Sequence, residues 1–147
     1  MAHRLFPKIL VAHDGSQPAD RAFAKALGLA ALSKAELHVI SVGEGVPRFA
    51  GSVGEVEDYK HQMEEYFGKL AKRLQSEAAE DGVTLHAHVV YGHEVESIVT
   101  FGKKHKCDLL VLGVVGHSNI LKKLMGNWGS TAQNLTRLSP CTVLMVK

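Results

Sequence analysis

Five short apolar segments alternate along the chain with amphipathic segments of helical period, and this alternation constrains the fold more than any other feature. The apolar segments are residues 8–13, 37–42, 84–91, 107–112 and 141–146. Continuous apolar runs are typical of strands buried on both faces, which occur in parallel sheets covered by helices on either side. The sequence therefore predicts the order β-α-β-α-β-α-β-α-β.

The segments between the strands predict four helices. Ser16 is suited to cap the first helix, and Pro18 is tolerated in a first turn. An apolar stripe from Tyr59 to Ala78 predicts a second helix that packs on the sheet of its own chain. Since crossovers between parallel strands are right-handed, we predict an α/β fold. It is a five-stranded, doubly wound, Rossmann-like parallel sheet with strand order 3-2-1-4-5. A length of 147 residues predicts one domain spanning 1–147.

Composition excludes several classes of protein. The apolar fraction is 46%, the charged fraction is 22%, and the net charge is only +2, without the clustered basic residues of a nucleic-acid binder. We therefore expect no nucleic acid as partner. No segment reaches the roughly 18 apolar residues that span a bilayer, and the N-terminus does not resemble an export signal. With two cysteines, the sequence favours a cytoplasmic protein that does not act at a membrane.

A glycine-rich segment, residues 113–131, follows the fourth predicted strand and ends at a helix start. In doubly wound sheets, ligands bind beyond the carboxyl ends of the strands, which here are His13 and Asp14, residues 39–42, and Gly113 onward. Glycines and a helix N-terminus suit phosphate binding, although glycines also serve simply to give a tight exit from a strand. The segment is neither a Walker A motif nor a dinucleotide fingerprint.

Four segments taken together resemble one known family over nearly the whole chain. They are Ile-Leu-Val-Ala-His-Asp-Gly-Ser at 9–16, Leu-His-Val-Ile at 37–40, Asp-Leu-Leu-Val-Leu-Gly at 108–113 leading into Gly113-x2-Gly116-x9-Gly126, and Ser-Pro-Cys-Thr-Val-Leu-Met-Val at 139–146. In their order and spacing, these motifs are similar to those of the universal stress protein family, in particular its ATP-binding members.

The resemblance implies an ATP site with a Mg²⁺ or Mn²⁺ ion on the phosphates. Asp14 would hold the ribose, Ala12 and His13 would line the site, and Val39 would meet adenine through its backbone. Gly113 and Gly116 would let the chain approach the ribose and phosphates. The end of the loop would cradle the phosphates through Gly126, Asn127, Gly129, Ser130 and Thr131. For His117, contact with phosphate and simple exposure to solvent are equal alternatives.

The sequence departs from the family pattern at two places. Gly126 is followed by Asn127 instead of serine or threonine, and a Gly129–Ser130 pair occurs three residues later. Either Asn127 replaces the hydroxyl, or the loop is three residues longer and Ser130 takes the phosphate role, which we favour because serine suits a helix start. The second departure is Gly92-His93-Glu94, where the family often has a proline near the helix start. We expect it to lie away from the phosphate loop.

Other residues give weaker indications. His86 and His88 point to one face of a strand, but we expect no metal site because no further ligand stands at a suitable spacing. Cys107 and Cys141 are expected to be buried and reduced. Trp128 has three open roles: capping the nucleotide pocket, filling a gap in the core, or facing a second subunit.

The sequence favours a nucleotide-responsive regulatory protein of the stress response over two alternatives, a nucleotide-independent interaction protein and a slow ATPase. No carboxylate lies in the glycine loop, so we expect any hydrolysis to be marginal.

The last strand, Thr142 to Val146, is apolar and is predicted to lie at a sheet edge. Exposed apolar edges are usually paired or covered, so we expect a homodimer through this strand, as the resemblance also implies.

Overall fold

The predicted sheet is confirmed in the computed structural model, which describes residues 5–44, 52–114 and 130–147. The elements are β1 (Lys8–Ala12), α1 (Gln17–Ser33), β2 (Glu36–Gly43), α2 (Val53–Glu80), β3 (Leu85–Tyr91), α3 (Glu94–Lys104), β4 (Leu109–Gly113), α4 (Ser130–Leu138) and β5 (Thr142–Val146). All described strand pairs are parallel, and the order across the sheet is β3-β2-β1-β4-β5.

Local sequence signals set the ends of α1 and α2. The Ser16 hydroxyl accepts a hydrogen bond from the backbone N–H of Ala19 at 3.3 Å, so Ser16 caps α1 as predicted. Ser52 caps α2 in the same way through the N–H of Glu55. Helix α1 ends where Lys34 adopts a left-handed conformation with φ of 55°. The two serines each satisfy a backbone N–H that the first turn of a helix leaves without a helical partner.

Two hydrophobic cores cover the two faces of the sheet. Strand residues such as Ile9, Val11 and Val39 pack against α1 and α2, where Phe23 and Leu74 are almost fully buried. Burying a side chain of this size contributes about 1.5–3 kcal/mol. The second core joins alternate strand residues to α3 and α4, and its members include Leu10, Ile40, Ile98, Leu110 and Leu135.

The C-terminal part of the stripe predicted on α2 packs on the sheet of its own chain, as expected, whereas Tyr66 of the same stripe is 48% exposed. Phe67, Leu70, Leu74 and Ala78 are buried there. Across the described ranges, no helix combines the length and the apolar character needed to cross a membrane.

The two cysteines precede β4 and β5, and both thiols are free. Burial raises the pKa of the Cys107 thiol to about 11. That thiol is therefore protonated and a poor nucleophile near neutral pH. Cys141 is only partly buried.

Candidate functional site

A cavity of about 310 Å³ lies where the carboxyl ends of β1, β2 and β4 meet α3 and α4. It is at the point between β1 and β4 where the winding of the sheet reverses, which is the usual ligand position in such folds. Its apolar wall is formed by side chains from both strands and helices, namely Ile40, Val42, Ile98, Leu112 and Leu135. Its polar residues include Asp14, Ser16, Glu94 and Thr131. A cleft that combines an apolar wall with a few polar groups suits a small organic ligand.

Of the residues predicted for the site, the structure brings Ala12, His13, Asp14, Gly113 and Thr131 together around this cavity. Val39 does not line it. The Val39 side chain is 2% exposed and packs in the core beneath α1 and α2, whereas the cavity is lined by Ile40 and Val42 of the same strand.

Part of the predicted site lies outside the described residues. This part comprises Gly116, His117, Gly126, Asn127 and Gly129, and Trp128 also lies there. Ser130 is the first residue of α4, but its side chain is also outside the description.

Asp14 occupies a tight turn that leads from β1 into α1. Its Oδ1 accepts a hydrogen bond from the backbone N–H of Ser16 at 2.9 Å, and its carbonyl oxygen accepts one from the Tyr66 hydroxyl at 3.0 Å. Gly15, with φ of +89°, lies so close to Tyr66 that a Cβ would overlap the Tyr66 hydroxyl. The turn and Tyr66 therefore hold the Asp14 carboxylate at the cavity.

The His13 side chain is turned away from solvent and has a structural role. The N–H of Gly15 donates to His13 Nδ1 at 3.0 Å, which assigns the ring proton to Nε2, where it donates to Asp20 Oδ1 at 2.9 Å. Burial lowers the pKa of the His13 imidazole, although the bond to Asp20 opposes this. Arg73 of α2 also donates to Asp20 Oδ1 at 2.9 Å. These contacts tie β1, α1 and α2 together behind the cavity.

The expectation that Glu94 lies away from the phosphate-binding residues is wrong. Glu94 begins α3 and lines the same cavity as Thr131. Burial raises the pKa of the Glu94 carboxyl, and the negative charges of Asp14 and Glu44 raise it further. The order of the elements could have predicted this position. A helix that follows a parallel strand begins at the carboxyl end of the sheet, which is where the cavity lies.

The expectation that His86 and His88 have no further potential metal ligand at a suitable distance is also wrong. The register of β2 and β3 pairs His38 with His86. Glu36, two residues before His38, joins them, and potential ligand atoms of these three residues all lie within 4.8 Å of one another. The Glu36-x-His38 spacing in β2 could have indicated these ligands, because residues two apart on a strand share a face, as His86 and His88 do.

Comparisons with known proteins agree on one family. The sequence model described as "Universal stress protein family" matches residues 5–147. A universal stress protein of Methanocaldococcus jannaschii is 31% identical over 97% of this chain and 83% of its own length. One from Thermus aquaticus is 32% identical over 97% of this chain and 100% of its own.

Solved structures give the same result. UspA of Lactobacillus plantarum superposes with a TM-score of 0.81 at 26% identity, covering 99% of this chain and 100% of that one. A universal stress protein solved in complex with cAMP has a TM-score of 0.74 at 27% identity, over 97% of this chain and 98% of its own.

Proposed function

The chain belongs to the universal stress protein family, and from this membership and the cavity geometry we propose that it is a stress-response regulatory protein that binds ATP. The nucleotide would lie at the carboxyl ends of β1, β2 and β4. The observation that carries the proposal is the cavity at the reversal of winding, with Asp14 held at it by the turn into α1. The relative solved with cAMP supports an adenine nucleotide as ligand.

The apolar wall suits the base and the polar residues suit the sugar. Adenine would pack on side chains such as Ile40, Val42 and Leu135, and the backbone near Val39 would offer its hydrogen-bonding groups. The Asp14 carboxylate would accept hydrogen bonds from the ribose hydroxyls. Ala12 and His13 would line the site through the backbone, since the His13 imidazole is engaged with Asp20.

The phosphates would lie between Gly113 and the N-terminus of α4. We assign them to Gly116, His117, Gly126, Asn127, Gly129, Ser130 and Thr131. Backbone N–H groups at a helix N-terminus favour anions. Asp14 and Glu94 bring two carboxylates to the same cavity, and their charge opposes phosphate. A Mg²⁺ or Mn²⁺ ion would neutralise charge on the phosphates, so we expect binding to depend on a divalent cation.

Equilibrium dialysis with ATP, ADP and cAMP, each with and without Mg²⁺, tests the proposal. Saturable binding of ATP with Mg²⁺ by the wild type is expected. Asp14→Ala should weaken it about 10-fold or more, because hydrogen bonds to a charged group are lost. Asp58→Ala, which removes an exposed carboxylate from α2, is the matched control and should bind as the wild type does. Absence of saturable binding by the wild type overturns the proposal and favours the nucleotide-independent interaction protein.

We also propose that the protein is a cytoplasmic homodimer joined through β5. This strand is at one end of the described sheet, and its Leu144 and Met145 are 37% and 50% exposed. Pairing with a second copy of β5 would cover this apolar edge and satisfy its backbone groups. The two free thiols support a reducing compartment.

A further inference from the structure

A cluster of histidines and one glutamate lies at the amino ends of β2 and β3, at the opposite end of the sheet from the nucleotide cavity. Glu36 and His38 are two residues apart on β2, and His86 and His88 are two apart on β3. Alternate residues of a strand share a face, and the register places His86 beside His38. All four side chains therefore lie on the face of the sheet that α3 covers, where His88 packs against Phe101.

The cluster is held together by short contacts. His38 Nε2 is 2.6 Å from Glu36 Oε1, and His38 Nδ1 is 2.9 Å from His88 Nε2. The rings of His38 and His86 stack with their centroids 4.7 Å apart. Two ligand atoms that share a tetrahedral zinc ion lie roughly 3.3 Å apart, given zinc–nitrogen distances of about 2 Å. In the cluster, His38 Nε2 and Glu36 Oε1 are 2.6 Å apart, and the ligand atoms of all three residues lie within 4.8 Å of one another, so small side-chain shifts would give that spacing.

We propose that Glu36, His38 and His86 form a binding site for Zn²⁺, with water as the fourth ligand. Two imidazoles and one carboxylate are a known donor set for zinc sites that keep one position open. Glu36 and His86 also line an open cavity of about 640 Å³, which gives the ion access from solvent. This proposal uses none of the residues assigned to the nucleotide and is independent of it.

His88 would act as a positioning residue for the zinc ligand His38. Because the Glu36 carboxylate can only accept, the His38 proton is assigned to Nε2, and His38 Nδ1 then accepts from the Nε2–H of His88. With zinc on His38 Nε2, the His38 proton would move through solvent from Nε2 to Nδ1 and be donated to His88 Nε2, and the His88 proton would move from Nε2 to its own Nδ1. Such a bond from a ligating histidine to a second group fixes the ring and is common at zinc sites.

One contact opposes the ion. The Lys8 ammonium lies 3.9 Å from Glu36 Oε1, and its Nζ also donates to the carbonyl oxygen of His105. A cation bound by Glu36 would be repelled by this charge. The proposal therefore predicts that replacing Lys8 with an uncharged side chain of similar length strengthens binding of zinc.

Calorimetric titration of the nucleotide-free full chain with Zn²⁺ tests the site. The wild type should bind one ion saturably. His86→Ala should lose about 100-fold or more in affinity, and His88→Phe should lose about 10–100-fold, as is usual when a supporting residue is removed. His61→Ala removes an exposed histidine of α2 and is the matched control, expected to bind zinc as the wild type does. Lys8→Met should bind more tightly.

Folding and specificity are checked alongside affinity. His86 is exposed, so His86→Ala should keep the wild-type circular dichroism spectrum without metal, and Glu36→Gln provides a second ligand variant. Zinc should raise the thermal midpoint of the wild type but not of His86→Ala. If His86→Ala and Glu36→Gln bind zinc as tightly as the wild type, or if the wild type binds none, the proposal is wrong. Asp14→Ala should keep zinc binding, which separates this test from that of the nucleotide.

Discussion

At the scale of single residues, Gly113 is the glycine, among the described residues, at which a Cβ would collide with backbone atoms and not with a side chain. A Cβ on Gly113 would overlap the carbonyl oxygen of Pro18 and lie 2.8 Å from the backbone nitrogen of Ala19. These atoms belong to the first turn of α1, which cannot move without shifting the Asp14 turn that precedes it. The absence of a side chain at Gly113 therefore lets the end of β4 and the start of α1 meet beside the cavity.

Gly113→Ala should destabilise the protein by about 1–3 kcal/mol, the usual cost of forcing extra volume into a packed site. Gly28→Ala is the control, because a Cβ there meets nothing within 4 Å and α1 gains helix propensity. That variant should gain about 0.5–1 kcal/mol. Urea denaturation measures both. Equal stability of the two variants would contradict the close contact at Gly113.

The Glu94 carboxyl has a pKa raised chiefly by burial, and this gives a prediction about pH. The folded state binds the proton more tightly than the unfolded state, so ionisation of Glu94 costs stability as pH rises from the ordinary value of 4.5 through the folded-state pKa. Glu94→Gln removes this cost. Its free energy of unfolding relative to the wild type should increase with pH across that window and then level off.

Denaturation at a series of pH values measures this difference. Glu96→Gln, which changes an exposed carboxyl on the same helix, controls for the loss of charge at the N-terminus of α3. A pH-independent difference between Glu94→Gln and the wild type would contradict the partial burial of Glu94 and its proximity to the charge of Asp14.

At the scale of elements, Asp20 joins β1 to both helices on one face of the sheet. Its Oδ1 accepts hydrogen bonds from the buried His13 ring and from Arg73 of α2. Although burial of Asp20 acts to raise its pKa, these two bonds outweigh it and lower the pKa. Asp20→Ala leaves the His13 Nε2–H without this acceptor in a site where the His13 side chain is 0% exposed.

Asp20→Ala should therefore cost about 1–3 kcal/mol, the penalty for an unsatisfied buried polar group. Glu77→Ala is the control, since it removes only the exposed ion pair with Arg73 four residues before it on α2. That pair is worth about 0.3–0.5 kcal/mol. Denaturation in guanidinium chloride distinguishes the two. A cost for Asp20→Ala no larger than that for Glu77→Ala would mean that Arg73, not His13, is the partner that matters.

The elements were predictable from sequence because each has a strong local signal. The strands are continuous apolar runs, and Ser16 is a capping residue directly before a helical pattern. The positions of Glu94 and His38 were not predicted, since each depends on how separate elements meet. Glu94 lines the same cavity as Thr131 only because α3 and α4 pack on the same face, and His38 meets His86 only through the register of β2 with β3.

At the scale of the whole molecule, the two proposed binding sites lie at opposite ends of the strands of the parallel sheet. The carboxyl ends of the strands and the N-termini of α3 and α4 surround the cavity proposed to bind nucleotide, while the amino ends of β2 and β3 carry the histidine cluster. Since β1 and β4 lie inside the described sheet, its two outer strands are β3 and β5. The histidine cluster is at the β3 side, which leaves β5 as the apolar edge for a second copy.

The proposed dimer through β5 gives the prediction at this scale. Met145→Lys places a charge on an apolar edge strand, which disfavours pairing of edges. Light scattering coupled to size-exclusion chromatography should find the wild type at twice the mass of one chain and Met145→Lys at the mass of one chain. Val89→Lys is the matched control, because Val89 is 40% exposed on the opposite edge strand, β3, and its variant should remain dimeric. A wild type that is monomeric at all concentrations would rule out the dimer. If Val89→Lys dissociates and Met145→Lys does not, the interface lies at β3 instead.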